Sequence, residues 1–456
     1  MQSHHLWCAL AVSVAPTLAL AQTYTRNFDT VTSLARDAVA GANVAEAVPG
    51  FEILLMHRGE VVFNQSFGYW ASGQSTHIDS ASKTLSGAAI MALTDQQPGF
   101  SLDSKLSQYL PQFTDAKAEI TIRDAFAHTS GLGYTSYAIT DPDLTLQESA
   151  SQLAAEPIYF PPGTAFVYGG VSMQAAGAAA EVASGISWNQ WFQQRIAAPL
   201  GLEVTEYAKT TESNPWIGGG AVSTAPEFAR FMEMLRSGGA MDGQQVLSAS
   251  AVQAMFTRQT ALDVDVRYTP LGASADYGVG VWLDERDAQG NLIGAMAAGA
   301  RGFTSWIDFD DEMVGVFATE YTPFDNIQAL QYAIRAAAAA VLDASLVQVG
   351  DANLDGQVDG ADYTALADHL YTLNPGIAGG DFNQDGLANG ADYTLWADAF
   401  SPLPGGALAV PEPGALSLAG MAVGTLLIAR RALQRGGVSR GISSSKTGRS
   451  RRAGSS

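Results

Sequence analysis

The sequence predicts an α/β fold carrying a helical insertion, and three observations lead there. The segment Phe51–Trp70 is apolar and β-branched on both sides of Arg58-Gly59, the pattern of a β-hairpin. Two further β-rich runs, Tyr277–Glu285 and Ser305–Tyr321, lie near the far end of the same domain. Between them stand helical patterns over Ala81–Asp95, Val171–Ser184 and Ala225–Ser237, and a closing helix is expected over Asn326–Leu342. Strands at both ends with helices between them predict a mixed sheet, in one domain spanning residues 22–345.

The elements follow in chain order. Leu6–Ala21 is an apolar run too short to cross a bilayer, and it ends in Ala19-Leu20-Ala21, the small-x-small pattern of a signal-peptidase site. A signal peptide over 1–21 is therefore expected, against the plainer alternative of a buried N-terminal helix. Its leading segment has His4 and His5 but no Lys or Arg. The lone cysteine, Cys8, lies inside this segment behind Trp7, a poor context for a lipoprotein site. Cleavage after Ala21 leaves no cysteine, which removes disulfides and thiol catalysis from the mature fold. Hydrophobic residues make up 47% of the 456, ample for a core. The net charge is −21, although eight basic residues and no acidic one follow from Arg430 onward. A body this acidic argues against nucleic acid and anionic membrane surfaces as partners.

Ser80 and Lys83 open the helix expected over Ala81–Asp95, with Asp79 or Ser80 suited to cap it. A serine there meets the positive end of the helix dipole, and a lysine three positions on returns to the same face. Leu85, Ala88, Ile90 and Met91 could bury that lysine and so make it a base. The mature domain has only four lysines: Lys83, Lys105, Lys117 and Lys209. On these residues alone, a helix cap followed by a surface lysine fits equally well. A second Ser-x-x-Lys, Ser443–Lys446, sits in a basic, low-complexity tail with no core to position it.

After the first domain comes a repeat: Gly350–Asp368 recurs as Gly380–Asp398, thirty residues on. Residues 401–414 form a Pro/Gly-rich linker. An apolar segment meeting Arg430-Arg431 spans 415–431, short for a stable membrane span, and the basic tail over 432–456 is expected to be disordered.

The segments LLMHRGEVVFNQSFGYW, SASKTLSG, IRDAFAHTSGL, PPGTAFVYGG, APLGLEVT, GGGAVSTAPEFARFMEMLRSGG and YGVGVW appear in this order. Together they resemble the serine β-lactamase-like superfamily of class C β-lactamases, D-alanyl-D-alanine peptidases and related carboxylesterases, over about residues 25–340. The resemblance implies a β-lactamase-like α/β sandwich, an antiparallel sheet flanked by helices plus a helical subdomain. It also implies an acyl-enzyme on Ser80, with Lys83 taking the serine's proton and Tyr168 working with Lys83 as general base. A tyrosinate serves as a base only where neighbouring positive charge lowers its pKa. His128, in the segment HTSGL, belongs by the same resemblance to a structural turn and is left out of the catalytic set.

Two departures bear on the substrate. The second motif, Tyr-x-Asn in lactamases and peptidases, reads Tyr168-Gly169-Gly170 here. The third, Lys-Thr-Gly or His-x-Gly in the family, falls on Ala297-Ala298-Gly299. Ala297 cannot hold a substrate carboxylate, and Arg301, four positions on, is the candidate replacement. Gly299 would let substrate approach the strand, and the N–H of Ala300 would join that of Ser80 in an oxyanion hole. An uncharged ester is the expected substrate. The alternatives are a D-Ala-D-Ala carboxypeptidase or weak β-lactamase, and a catalytically inactive penicillin-binding-like scaffold.

The repeat, over 350–400, fits a small all-α, EF-hand-like module for Ca²⁺. Its first loop offers Asp351, Asn353, Asp355, Gln357, Asp359 and Asp362, with Gly356 at the turn. The second offers Asp381, Asn383, Asp385, Leu387 (through its carbonyl), Asn389 and Asp392, with Gly386. With fewer carboxylates the second is expected to bind more weakly. The pair resembles a type I dockerin, which implies a cohesin-like partner and a role in assembly separate from catalysis. VPEPG, the apolar segment and the arginines resemble a PEP-CTERM sorting signal. That implies export, then membrane retention or processing by an exosortase-type enzyme, at the cell envelope or outside the cell.

Overall fold

The computed structural model describes residues 23–272 and 275–400. The signal segment over 1–21, the linker, anchor and tail over 401–456, and Ser443–Lys446 lie outside the described residues. In chain order the principal elements are α1 (Asp29–Ala40), β1 (Gly50–His57), β2 (Glu60–Gly68), α2 (Ser82–Gln96), α3 (Val171–Ser184), α4 (Ala225–Arg236), β3 (Trp282–Arg286), β4 (Leu292–Ala298), β5 (Thr304–Asp308), β6 (Met313–Ala318) and α5 (Phe324–Asp343).

The six strands form one sheet in the order β3-β4-β5-β6-β1-β2, with every pairing antiparallel. The mixed sheet expected from strand placement gives way to the antiparallel one that the resemblance implied. The physical reason is connectivity: β1 and β2 are a hairpin and β3 to β6 a meander, so no strand returns through a parallel crossover. The meander meets the hairpin at β6 and β1, where Val316 lies opposite Leu54.

Alternation along β1 sorts its side chains between two cores. Phe51, Ile53 and Leu55 join Phe28, Val31, Trp306, Phe317, Ile327 and Ile334 under α1 and α5. Leu54 and Met56 join Val314, Val316, Phe228, Phe231 and Leu85 on the opposite face, toward α4 and α2. Helix α2 is buried from Ser82 through Leu93 without a break, so it has no polar face. Its sequence, small and apolar all round, suits a central helix. It is also why a lysine within it must lose water.

The start of α2 differs from expectation. Asp79–Ala81 forms a 3₁₀ turn and no side chain caps the helix, although Asp79 or Ser80 was expected to do so. Both side chains are engaged elsewhere, as described below. The turn is held from outside instead. Thr76–His77 pairs antiparallel with Val222–Ser223, Ile78 N–H donates to Ala221 O at 3.1 Å, and Ala221 N–H donates to Ser82 Oγ at 3.0 Å.

Residues 350–400 contain α6 (Gly360–Asp368) and α7 (Gly390–Ala399), each preceded by a carboxylate-rich loop. The two copies share the bonds of their acidic loops. Asp351 accepts from Asp355 N–H (3.2 Å) and Gly356 N–H (2.8 Å), as Asp381 does from Asp385 (3.1 Å) and Gly386 (3.0 Å). Asp362 accepts from Ala352 N–H and Asp392 from Phe382 N–H, both at 2.8 Å. Described residues as far as Phe400 belong to one compact unit, and this pair of helices packs on the larger body. Asp29 accepts from Ile377 N–H (2.7 Å) and Ala378 N–H (3.1 Å), and Gln384 Nε2 donates to Arg26 O (2.8 Å). Gln65 Nε2 donates to Gln384 O (3.1 Å), and Asn374 Nδ2 to Ser66 O (3.3 Å). Gln65 and Ser66 belong to β2, an outer strand of the sheet, so the repeat covers an edge otherwise open to pairing.

Candidate active site

Ser80 sits in the turn before α2, and Lys83 in the first turn of the helix proper. Lys83 Nζ lies 2.9 Å from Ser80 Oγ and donates to Gly218 O at 2.6 Å. Lys83 is 3% exposed. The segment after Tyr277 seals its helix, with Thr84 Oγ1 donating to Gly280 O at 2.8 Å. Burial pushes the lysine down to about 7, while the Asp79 carboxylate works in the opposite direction. At neutral pH a large share of this amine is therefore unprotonated beside the serine hydroxyl.

Tyr168 follows a short strand, Ala165–Val167, and its N–H donates to Tyr268 O at 3.0 Å. Its ring carries Lys83 Nζ 4.7 Å from the centroid and stacks on Trp282 at 5.2 Å. Burial pushes its phenol up to about 12, outweighing hydrogen bonds from Ser80 and Trp282 that favour the anion. No lowering by Lys83 offsets this, because a lysine shifted to about 7 is already neutral at the pH where the phenol would ionise. Tyr168 is a neutral phenol here, which leaves the amine as the group of the pair able to accept a proton near neutral pH.

His128 is 1% exposed and packs its ring 4.5 Å from that of Tyr168 and 4.8 Å from that of Tyr277. Its Nδ1 accepts from Gly169 N–H at 3.4 Å. Burial, then the Lys83 charge, holds it well below the ordinary histidine range. It is a neutral ring supporting the tyrosine.

The residues at the two departures have structural reasons. A Cβ at Gly170 would meet Trp216 Nε1 at 3.0 Å and Ile139 Cδ1 at 3.3 Å, so Trp216 occupies the space an asparagine would take. The lysine's second acceptor is the main-chain carbonyl of Gly218 rather than an amide side chain. At the third motif, Ala297 and Ala298 end β4, and a Cβ at Gly299 would lie 2.4 Å from Ile78 O. Only glycine lets the strand end approach the Ser80 turn this closely. Ala300 follows it and is exposed, with its carbonyl accepting from Phe324 N–H at 3.1 Å.

Arg301 does not stand free. Its Nε and second terminal nitrogen bond both Asp79 oxygens at 2.8 and 3.1 Å, and Glu320 lies 3.5 Å from it. Lys209 Nζ lies 2.8 Å from Asp79 Oδ1 and 4.7 Å from the Trp216 ring centroid. Burial opposes ionisation of Asp79, but bonds from Arg301 and Lys209 outweigh it and hold the carboxyl below the usual range.

Thus Ser80, Lys83, Tyr168, Gly170 and Gly299 converge, with Arg301 beside them but paired. Asp79, Lys209, Trp216, Gly218 and Trp282 are the parts that sequence reasoning missed. The glycine run Gly218-Gly219-Gly220 was a legible sign of close backbone approach. Nothing local announced Trp216 or Lys209.

In the repeat, Asp362, Asp381 and Asp392 are fully buried and Asp351 is 3% exposed. Asn353 and Asp355 face each other at 3.0 Å, as do Asn383 and Asp385. Gln357 and Leu387 donate their N–H groups to Asp355 and Asp385, while Asp359 and Asn389 cap the following helices. The donors are hard oxygens, the type Ca²⁺ prefers. Among the described residues, no group of three or more Asp, Glu, His or Cys stands close enough to hold an ion as arranged.

Residues 33–340 match the family model described as Beta-lactamase. Protein flp of Staphylococcus aureus (strain MW2) is 26% identical over 36% of this chain and 36% of its own, so the chain spans about a third of that relative's length. Acyltransferase calJ of Penicillium decumbens is 25% identical over 55% of this chain and 76% of its own. A solved structure from Bacteroides dorei DSM 17855, described as a candidate beta-lactamase, superposes with a TM-score of 0.62 at 27% identity, covering 68% of this chain and 99% of its own. A family VIII carboxylesterase gives 0.58 at 18%, covering 70% and 99%. EstCE1, a hydrolase with promiscuous acyltransferase activity, gives 0.57 at 20%, covering 68% and 97%. The last two likenesses are evidence of fold alone.

Proposed function

The chain belongs to the Beta-lactamase family, and within it we propose a serine hydrolase that cleaves uncharged carboxylic esters through an acyl-enzyme on Ser80. The observation that carries this reading is the 2.9 Å contact between Ser80 Oγ and a buried Lys83 amine whose pKa burial lowers to about 7. Lys83 takes the hydroxyl proton as Oγ attacks the ester carbonyl. The N–H groups of Ser80 and Ala300 hold the developing oxyanion. The Tyr168 phenol donates its proton to the departing alkoxide and regains one from the Lys83 ammonium. Water then attacks the acyl-serine, giving its proton to the same amine, which returns it to Ser80 Oγ as the acyl–oxygen bond breaks and the acid departs.

An ester is favoured over a carboxylate-bearing β-lactam or peptide because Ala297 offers no cation and Arg301 is committed to Asp79. The intact serine–lysine contact weighs against an inactive scaffold. For the repeat, the reading remains a calcium module with cohesin-like assembly as a further role. Two loops with the same bonding at the same offsets support it. The test of the hydrolase is turnover of p-nitrophenyl butyrate by the full chain. Ser80→Ala is expected to lower kcat/KM by about a thousandfold or more. Equal rates in both proteins overturn the reading.

A further inference from the structure

Asp79 stands directly before Ser80 with a left-handed backbone, φ 45°. A non-glycine residue keeps that strained conformation only where its surroundings demand it. Asp79 reaches Arg301, which follows β4, and Lys209, from the segment leading to Trp216. The two cations are 41% and 32% exposed at their side chains, while the Asp79 side chain is 9% exposed. Two cations that could receive a substrate carboxylate therefore flank the serine's own turn, and one internal carboxylate holds both. Glu320 adds a second anion beside Arg301, so the four groups sum to zero charge.

We propose that Asp79 determines specificity by acting as an internal counter-anion. It takes the place at Arg301 and Lys209 that a substrate carboxylate would otherwise fill, and so keeps the site selective for uncharged acyl groups. The proposal deepens the ester-hydrolase reading and rests on it for its consequence in turnover. A carboxylate-bearing substrate must break a fork of charge-assisted bonds before making its own, whereas a neutral ester leaves it intact.

The test begins with binding, which needs no turnover. In the full chain carrying Ser80→Ala, glutarate is titrated against tryptophan fluorescence, since Lys209 lies over Trp216. Adding Asp79→Asn, which keeps shape and suits positive φ, is expected to tighten glutarate by about tenfold or more. Adding Arg301→Gln as well is expected to abolish the gain. Arg301→Gln with Asp79 intact leaves binding unchanged, because that arginine is already committed, and a loss of binding there contradicts the commitment even where Asp79→Asn fails to fold. Equal binding with and without Asp79→Asn, or a loss of glutarate on Arg301→Gln alone, overturns the proposal. In the Ser80-containing proteins, Asp79→Asn is expected to shift the kcat/KM ratio from p-nitrophenyl butyrate toward mono-p-nitrophenyl glutarate by about tenfold. An unchanged ratio counts against it. Absence of any Ser80-dependent turnover refutes the hydrolase reading instead and leaves the binding comparison standing.

Discussion

Two buried titratable groups at Ser80 part in opposite directions, the amine down to about 7 and the phenol up to about 12. The base form of Lys83 is populated as pH rises through its pKa, so kcat/KM for a neutral ester is expected to climb with a midpoint near 7. A pH–rate profile flat from 5 to 9 contradicts Lys83 as the base. Tyr168→Phe is expected to cost about 10²- to 10⁴-fold in kcat while that midpoint stays, because the phenol only relays the proton. The same lysine has a signature in stability. The unfolded chain binds its proton up to the ordinary value of 10.5, so the unfolded state holds more protons between about 7 and 10.5. Stability from this group therefore rises with pH across that window, and Lys83→Met removes the slope. Denaturant titrations at several pH values measure it. Ser80, Lys83 and Tyr168 were legible because each sits in a short ordered motif. Trp216 was not, because its contact with Gly170 joins segments distant in sequence, and no local pattern encodes which side chain fills a vacated position.

At the scale of elements, the site depends on β4 ending within reach of the Ser80 turn. Gly299→Ala puts a Cβ 2.4 Å from Ile78 O, so strand or turn must move. Displacement of catalytic groups by about 1 Å costs on the order of a hundredfold in rate. A large loss of kcat with a modest change in melting temperature is expected, and full activity contradicts the packing described. Gly170→Asn restores the Tyr-x-Asn spelling without the family's geometry. Crowding Trp216 is expected to destabilise by about 1–3 kcal/mol, read by denaturant unfolding. The helices over Val171–Ser184 and Ala225–Arg236 and the strands within Phe51–Trp70, Tyr277–Glu285 and Ser305–Tyr321 were readable from local pattern, whereas β4 was not read from it. Pairing direction was not, since alternation fixes which face a strand buries and says nothing of which neighbour it meets. The helix cap failed for a related reason: Asp79 has a cap's chemistry, but two distant cations compete for it more strongly than a neighbouring N–H does.

For the whole molecule, the repeat lies against the hydrolase body rather than apart from it. Asp29 accepts two N–H groups of the repeat, and hydrogen bonds to a charged group contribute about 1.5–3 kcal/mol. Asp29→Ala is therefore expected to loosen the repeat and speed hydrogen exchange in β2, whose edge it covers. Unchanged exchange there would show that the contact stabilises nothing. If the loops take calcium, the ion and this contact are linked, because Gln65 touches Asp381 at 3.5 Å and Gln384 in the same loop. Calcium is then expected to raise the unfolding temperature of the full chain, and Asp381→Ala to weaken that response. The repeat's presence was plain in the sequence from its thirty-residue offset. Its docking was not, since Asp29, Gln65 and Asn374 carry no signal of one another.

Covalent capture of the acyl-enzyme tests the nucleophile most directly. The full chain is mixed with p-nitrophenyl butyrate, quenched in acid within the first turnover, digested and mapped by mass spectrometry. A butyryl group on the peptide containing Ser80, forming faster as pH rises through about 7 and absent from Ser80→Ala, is the expected result. A butyryl group on another residue, or hydrolysis that persists unchanged in Ser80→Ala, contradicts it.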